Sequence, residues 1–167
     1  MRSLPSYEQV VLTLTAGPRV VVPAAYGDAN GHVNVRHHLG LYDDAEWAIF
    51  DGIGLGDADG GADVAGIFAL EQHLTYRREV LVGDDVSVHL RVLACEGPLL
   101  HLVSYLANHT RGEVAGCMEA LEGCVDLTTR RLAPFPVDAG AAIGAMAAAA
   151  ARLDWQPELS GAITLRS

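Results

Sequence analysis

Short turns between successive strand-like segments are the feature that most restricts the fold of this chain. Three runs with extended character cover 86–92, 99–108 and 113–127, and turn signals at Glu96-Gly97-Pro98 and Thr110-Arg111-Gly112 separate them. Connections this short join neighbouring antiparallel strands, because a parallel pair needs a long crossover. The sequence therefore predicts an antiparallel meander.

A single helical pattern precedes the meander. Asn34 is a predicted N-cap and Gly52 or Gly54 a predicted end. Between them, apolar residues recur at helical spacing: Val35, Leu39, Tyr42, Ala45, Ile49 and Phe50. Glycine inside a helix costs about 1 kcal/mol relative to alanine, so Gly40 predicts a close approach by another backbone or a ligand. The acidic residues of this helix, Asp43, Asp44 and Glu46, are predicted to form its polar face.

Further elements complete one predicted domain over 1–167, with a core at about 18–127. Segments 10–15, 19–23 and 64–81 read as extended. An alanine-rich helix is predicted over 138–152, within a C-terminal part at 136–167. One apolar helix facing about five strands indicates an α+β fold in which the sheet curls round the helix. Such a sheet has open edges, which oligomerisation usually covers.

The strand pattern also makes predictions about side-chain direction. Alternation over 86–92 indicates a strand with one buried face. In the run at 64–81, period two places Phe68, Leu70, Leu74 and Tyr76 on the predicted core face. Cys117 and Cys124 are predicted to be buried residues on opposite faces of one strand.

Charge and cysteine content exclude several classes of function. The formal net charge is −10 and the isoelectric point about 4.9, so nucleic acid and an anionic membrane surface are not expected partners. The three cysteines support neither a disulfide framework nor a thiolate zinc site, which favours the reducing cytoplasm. No apolar run reaches the roughly 20 residues that span a bilayer.

The stretch YGDANGHVN, residues 26–34, lies immediately before the helical pattern. Its residues are those of a tight turn, and the local signal alone favours a turn. With the helix that follows, however, the chain from Tyr26 to Phe50 resembles the hotdog-fold thioesterases, in particular the 4-hydroxybenzoyl-CoA thioesterase-like group. A second match, EQHLTYRREVLVGDDV from Glu71, resembles the next strand and turn of that family. Within that family, these features resemble those of the carnitinyl- and betainyl-CoA thioesterases.

This resemblance implies a hotdog fold, a curled antiparallel sheet wrapped round one central helix, and hydrolysis of a small or medium acyl-CoA. It implies a homodimer or homotetramer with sites at subunit contacts, and no cofactor, since coenzyme A is part of the substrate. Asp28 falls on the catalytic carboxylate position of the family, as general base or nucleophile.

The chemistry of thioester hydrolysis fits the residues around Asp28. An oxyanion needs hydrogen-bond donors, and the first N–H groups of a helix lack intrahelical partners. The amides near His32, Val33 and Asn34 are predicted to form this oxyanion hole, and Gly31 lets an acyl group approach the backbone. His32 and Asn34 belong to the predicted catalytic set for the same reason.

Other residues carry weaker predictions with open alternatives. Glu71 occupies an acidic position of the family but points away from the predicted core face, so it either reaches a subunit contact or is a solvated charge. Arg77 and Arg78 are candidates for binding the phosphates of coenzyme A, against the alternative of a solvated strand end.

Tyr26, His37 and His38 are predicted to contact substrate, although the two histidines stand where the quaternary-ammonium subgroup is expected to have tyrosines. Only 6% of the residues are aromatic, so an aromatic cage for betainyl or carnitinyl groups is not favoured. The histidine spacing does not suit a metal, and no metal site is predicted.

A non-catalytic hotdog module that binds acyl-CoA is the alternative function. A carboxylate at the start of the helix argues against it, since a pure binder needs no base. A hotdog dehydratase is disfavoured, because Val33-Asn34 follows His32 where those enzymes resemble His-Phe-Pro-Gly.

Overall fold

The computed structural model describes residues 4–55 and 65–165. Its helices are α1 (Tyr7–Thr13), α2 (Val35–Asp51) and α3 (Val137–Ala150), with a short 3-10 turn at Ala24–Tyr26. Its strands are β1 (Thr15–Val21), β2 (Ala65–Tyr76), β3 (Asp85–Glu96), β4 (Leu99–Asn108), β5 (Glu113–Asp126) and β6 (Arg131–Leu132). No helix within these described ranges is long and apolar enough to cross a bilayer.

The strands form one sheet in the order β1-β3-β4-β5-β2, with β6 on β5, and every pairing is antiparallel. The predicted meander corresponds to β3, β4 and β5, and the predicted α+β fold is confirmed. β1 and β2 are the edges of the path, so β2 offers unpaired backbone groups on its outer side.

α2 packs against the inner face of the curled sheet. Asn34 caps it as predicted, because its side chain accepts a hydrogen bond from the Arg36 N–H at 3.2 Å. The apolar side of α2 joins an inner core with side chains from β3, β4 and β5: Leu41, Tyr42, Ala45, Ile49, Phe50, Val88, Leu102 and Met118. This burial holds the N-terminus of α2 in a fixed position relative to the sheet.

The close approach to α2 occurs at Gly17 rather than at Gly40. A Cβ at Gly17 would lie 2.7 Å from the Ala45 Cβ, because β1 crosses α2 there. The pairing of β1 with β3 is irregular between Ala16 and Arg19. A Cβ at Gly40 would meet no atom of the described residues within 4 Å, so the expected neighbouring backbone is not present there.

The first predicted strand, at 10–15, is wrong over most of its length because α1 occupies 7–13. Ser6 and Gln9 form a capping box, in which each side chain bonds the backbone N–H of the other. The start signal of the helix thus precedes the apolar run that resembled a strand.

A second core lies on the outer face of the sheet, under α1 and the tail that follows α3. Its buried members come from α1, β4, β5 and the tail: Val10, Val103, Tyr105, Val114, Cys117 and Trp155. The polar side of β3, with Ser87, His89 and Arg91, is therefore buried as well. The prediction of one buried face on this strand is wrong because the tail covers the other.

β2 contains a register shift between Ala69 and Glu71 that reverses the direction of its side chains. Ala65 and Ile67 contact the inner core before the shift, and Leu74 does so after it. Phe68 and Leu70 are consequently exposed, so their predicted place on the core face is wrong. Cys117 and Cys124 are both buried, as predicted.

Candidate active site

The loop before α2 is a compact turn. The Asp28 N–H donates to the His32 carbonyl at 2.8 Å, and the Gly31 N–H donates to the Asp28 carbonyl at 3.1 Å. Gly31 has a φ of 80°, a conformation that glycine adopts without strain. The loop thus has the geometry of a tight turn and also places Asp28 beside the start of α2.

The Asp28 carboxylate is anchored by this loop. Its Oδ1 accepts hydrogen bonds from the Asn30 N–H at 2.8 Å and the His32 N–H at 3.1 Å. The Asn30 hydrogen bond above all, helped by that from His32, lowers the pKa of Asp28 below its usual value. Asp28 is therefore a carboxylate at neutral pH.

Most of the amides predicted as oxyanion donors are bonded to the protein itself. The His32 N–H binds Asp28, the Val33 N–H donates to the Val80 carbonyl at 2.8 Å, and the Asn34 N–H donates to the Tyr26 carbonyl at 2.8 Å. The N–H of Val35, the first residue of α2, has no acceptor among residues 4–55 and 65–165. The open donor thus lies one residue beyond the predicted set.

An open groove of about 400 Å³ runs beside this amide. Its lining comes from the start of α2 and from the end of β2 with the segment after it: His32, Val33, Val35, His38, Tyr76, Arg77, Arg78, Glu79 and Val80. The structure therefore brings together predicted site residues that are more than forty positions apart in the sequence. Tyr76 was predicted as a core residue rather than a site residue, but it lies at the groove and its side chain is 50% exposed.

His38 lies in this groove one turn of α2 beyond Val35. It is 9% exposed, and its ring meets the Tyr76 ring edge-on, with centroids 5.0 Å apart. Burial lowers the pKa of His38, so its imidazole is neutral at neutral pH. His38 and Tyr76 thus form an aromatic part of the groove wall next to the open amide.

Tyr26 and His37 support the loop and are not among the residues that line the groove. His37 stacks on Tyr26 with ring centroids 4.3 Å apart. The His32 ring lies at the rim, where its Nε2 is 2.9 Å from a Glu79 carboxylate oxygen. These contacts fix both sides of the segment that carries Asp28.

The two arginines at the end of β2 have different surroundings. Arg77 forms an ion pair with Glu158 of the C-terminal tail, and both side chains are mostly buried. Arg78 is exposed and lies 3.4 Å from a Glu113 carboxylate oxygen. Only Arg78 is therefore open to a phosphate group from solvent.

Glu71 lies apart from the groove. Its carboxylate is 2.7 Å from the His73 ring, on the face of β2 that points away from α2. Within one chain it reaches neither Asp28 nor the Val35 amide, and both alternatives stated for it stay open.

The prediction that Asp43, Asp44 and Glu46 form the polar face of α2 is wrong for Glu46. Asp43 and Asp44 are exposed, but Glu46 is only 5% exposed and accepts a hydrogen bond from the Ser104 hydroxyl at 2.5 Å. Burial raises the pKa of Glu46 to about 8. The described residues contain no cluster of three or more histidine, cysteine, aspartate or glutamate side chains arranged to hold a metal.

Comparison with known proteins identifies the family. Residues 22–145 match the Thioesterase-like superfamily. The chain belongs to this superfamily. Membership confirms the predicted class of enzyme, a thioester hydrolase, and the family resemblance on which that prediction was based.

Two curated relatives of this thioesterase-like chain are named as betainyl-CoA thioesterases. The betainyl-CoA thioesterase of Pseudomonas aeruginosa PAO1 is 30% identical over 122 residues, which are 73% of this chain and 77% of the relative. The L-carnitine dehydrogenase/betainyl-CoA thioesterase of Rhizobium meliloti is 26% identical over 133 residues. The match covers 80% of this chain but 27% of that larger protein.

The fold is shared with a Staphylococcus aureus protein whose structure was solved in complex with CoA. The TM-score is 0.79 at 22% identity, and the alignment covers 92% of this chain and 97% of the other. The hotdog arrangement of one central helix in a curled sheet is thus confirmed for this thioesterase-like protein.

Proposed function

We propose that this protein hydrolyses an acyl-CoA thioester with a small polar acyl group, and that betainyl is the first candidate. The observation that carries the proposal is the ionised Asp28 carboxylate, fixed by its own loop just before the unoccupied N–H of Val35. The betainyl-CoA thioesterase activity for which both curated relatives are named supports this choice of acyl group.

The Val35 amide is the proposed oxyanion donor. It lies at the N-terminus of α2, where the helix dipole adds partial positive charge. The thioester oxygen gains negative charge in the tetrahedral intermediate, so this donor binds the transition state more strongly than the substrate. Its position at the groove lets the carbonyl approach from solvent.

Asp28 has two proposed roles that remain alternatives. As a nucleophile, its carboxylate attacks the carbonyl carbon, coenzyme A leaves as a thiolate, and water hydrolyses the resulting anhydride. As a general base, it takes a proton from the water that attacks the same carbon. Neither role requires a cofactor, and a thiolate is a good leaving group because thiol pKa values lie near 8.5.

The groove fits a short cationic acyl group. In betainyl-CoA the nitrogen is two bonds from the carbonyl carbon, so its methyl groups would lie against the wall next to Val35. Tyr76 contributes an aromatic ring there, Glu79 a carboxylate and His38 a neutral imidazole. Arg78 is the proposed contact for a phosphate of coenzyme A.

The test is thiol release from betainyl-CoA and from its tert-butyl analogue, in which carbon replaces nitrogen. Because the ammonium group also activates the thioester carbonyl, recognition is measured as binding to the inactive Asp28→Asn variant. We expect the Kd of betainyl-CoA to be lower than that of the neutral analogue by about tenfold or more, since a desolvated cation-aromatic contact is worth up to ~2 kcal/mol. Equal Kd values would contradict recognition of the cation. Binding of acyl-CoA esters with no turnover would contradict hydrolysis and support the non-catalytic module.

We also propose that the chain acts as a homodimer or homotetramer. β2 is an edge strand with exposed Phe68 and Leu70, and such edges are usually covered by a second chain. Light scattering should give a mass of at least twice 17.6 kDa. A monomer at assay concentration would contradict this and would leave Glu71 as a solvated charge.

A further inference from the structure

The loop before α2 is paired with a second stretch of backbone, the segment 80–82 that follows β2. The Val33 N–H donates to the Val80 carbonyl at 2.8 Å, and the Val82 N–H donates to the Gly31 carbonyl at 3.1 Å. A β-bridge lies between these two bonds. The position of the loop, and of the catalytic carboxylate that it carries, therefore depends on how segment 80–82 is held.

Asp84 holds this segment from the side that faces the β4–β5 turn. The residue is 6% exposed, and its Oδ2 accepts hydrogen bonds from the Leu81 N–H at 2.9 Å, the Asn108 side-chain amide at 2.7 Å and the Arg111 Nε at 3.2 Å. Burial alone would raise the pKa of Asp84, but these hydrogen bonds and the charge of Arg111 lower it below its usual value. Asp84 is therefore ionised at neutral pH and paired with Arg111.

Arg111 makes a second contact, at the rim of the thioester groove. Its Nη1 lies 3.7 Å from one carboxylate oxygen of Glu79, and the other oxygen lies 2.9 Å from the His32 Nε2. Glu79 and His32 both line the groove, whereas Arg111 lies outside its lining. Arg111 thus bridges two carboxylates: Asp84 holds the backbone partner of the loop, and Glu79 contacts the His32 ring.

This double contact depends on the shape of a guanidinium group. Arginine presents N–H donors in a planar fork, so Nε can point at one carboxylate while Nη1 points at another. The ammonium group of lysine is a compact point charge on a flexible chain, and it lacks this fixed fork. Arg111→Lys therefore keeps a positive charge near the buried Asp84 carboxylate but removes the bridge.

We propose that Arg111 is a positioning residue for the thioester site, because it fixes both Glu79 and the segment 80–82 against which the loop is built. The inference rests on the proposed function, since it assigns Arg111 to the same reaction. A small displacement of a catalytic group lowers the rate of the chemical step strongly, while binding through the rest of the substrate is retained. Loss of the bridge should therefore change kcat rather than KM.

Steady-state kinetics of Arg111→Lys on the preferred acyl-CoA ester test this role. We expect kcat to fall by about tenfold or more, with KM within about twofold of the unsubstituted value. Arg152→Lys, at an exposed position after α3, is the matched control and should keep both parameters. A general loss of folded protein would be recognised by a lower melting temperature.

Hydrogen exchange of the backbone amides tests the same contact without any substrate. In Arg111→Lys, peptides that cover 28–34 and 79–84 should exchange faster by about tenfold or more, whereas those from the centre of β4 should be unchanged. Glu79→Gln removes only the contact at the groove rim, and its side chain is half-exposed, so it should fold. This second variant should also speed exchange in 28–34, and it decides the question if Arg111→Lys does not fold.

The outcomes separate this inference from the proposed function. If the unsubstituted protein hydrolyses no acyl-CoA ester, the proposed function fails, and exchange alone then decides whether Arg111 holds the loop. A folded Arg111→Lys variant with unchanged kcat, or with unchanged exchange in 28–34, would overturn the positioning role. An equal rise in exchange across the whole chain would also overturn it, because Arg111 would then stabilise the fold in general.

Discussion

The backbone N–H of Val35 can be removed without removing the helix. Proline lacks an N–H and is favoured at the first position of a helix, and the extended backbone of Asn34 suits a residue before proline. We expect Val35→Pro to lower kcat by about 10²- to 10³-fold, the usual cost of losing one oxyanion donor. Steady-state kinetics measure this, and Val35→Ala, which keeps the amide, should retain activity. Equal kcat for the proline and alanine variants would exclude this amide as the donor.

Burial of the Glu46 carboxyl group makes the free energy of unfolding depend on pH. The pKa of Glu46 is raised in the folded state, so between about pH 4.5 and about pH 8 the carboxyl ionises more readily in the unfolded state. The free energy of unfolding is therefore highest below about pH 4.5 and falls as the pH rises toward about 8. Glu46→Gln cannot ionise and still accepts the Ser104 hydrogen bond. The variant should therefore gain stability relative to the unsubstituted protein across that interval, on the order of 3 kcal/mol.

Urea unfolding near both ends of this interval, about pH 5 and about pH 8, measures the effect. Asp44→Asn serves as the exposed control and should parallel the unsubstituted protein. A free energy of unfolding for Glu46→Gln that follows the same pH dependence as the unsubstituted protein would show that Glu46 is not responsible.

Single residues show what the sequence can and cannot reveal about the site. The turn at 26–34 and the Asn34 cap are local, since their partners lie within a few positions, and both were predictable. Glu46 was not, because its burial depends on Ser104, which β4 supplies from 58 positions away. The open amide at Val35 follows from the predicted cap and could have been found by asking which N–H groups the loop itself uses.

At the scale of elements, the crossing of β1 over α2 predicts a steric coupling. Gly17→Ala would place a methyl group 2.7 Å from the Ala45 Cβ, so we expect the free energy of unfolding to fall by about 1–3 kcal/mol. Ala45→Gly removes the obstructing methyl, although glycine in a helix costs about 1 kcal/mol itself. The double variant should lose less free energy of unfolding than the two single variants lose together. Strictly additive losses in denaturant unfolding would contradict the close contact.

Strand β2 marks the limit of prediction from periodicity. Its alternating pattern reads as one uninterrupted strand, yet the extra residue between Ala69 and Glu71 moves Phe68 and Leu70 to the exposed face. Nothing in the residues themselves separates a bulge from a regular strand here, since the pairing with β5 determines it. α2, with a strong cap and a long apolar stripe, was predictable almost to its ends.

At the scale of the whole molecule, the C-terminal tail closes the outer face of the sheet. Arg91 donates to the carbonyls of Trp155 and Ala150 at 3.0 and 3.1 Å, and its guanidinium lies 4.3 Å from the centre of the Trp155 ring. The sequence did not reveal this cover, because the tail has no periodic pattern and its contacts are to β3 and β4 far earlier in the chain. Loss of the contacts that this tail makes should expose the core on the outer face of the sheet to solvent.

Thiol labelling of the cysteines in Trp155→Ala tests whether the tail covers the outer face of the sheet. Cys95 is exposed, whereas Cys117 is buried in the same outer core as Trp155. In the native protein a thiol reagent should modify Cys95 alone, and in Trp155→Ala it should also modify Cys117, with stability lower by about 3 kcal/mol. Trp47→Ala, on α2 at the other face, should leave Cys117 protected. Unchanged labelling in Trp155→Ala would contradict the cover.

The most direct test of the proposed function is the turnover of Asp28→Asn on the preferred acyl-CoA ester. Asparagine keeps the oxygen that accepts the Asn30 and His32 N–H groups, so the loop and the melting temperature should be retained. Since the variant has neither nucleophile nor base, kcat should fall by about 10³-fold or more. Asp51→Asn, at the far end of α2, should hydrolyse the ester normally. A folded Asp28→Asn variant with the unsubstituted rate would contradict the assignment of Asp28.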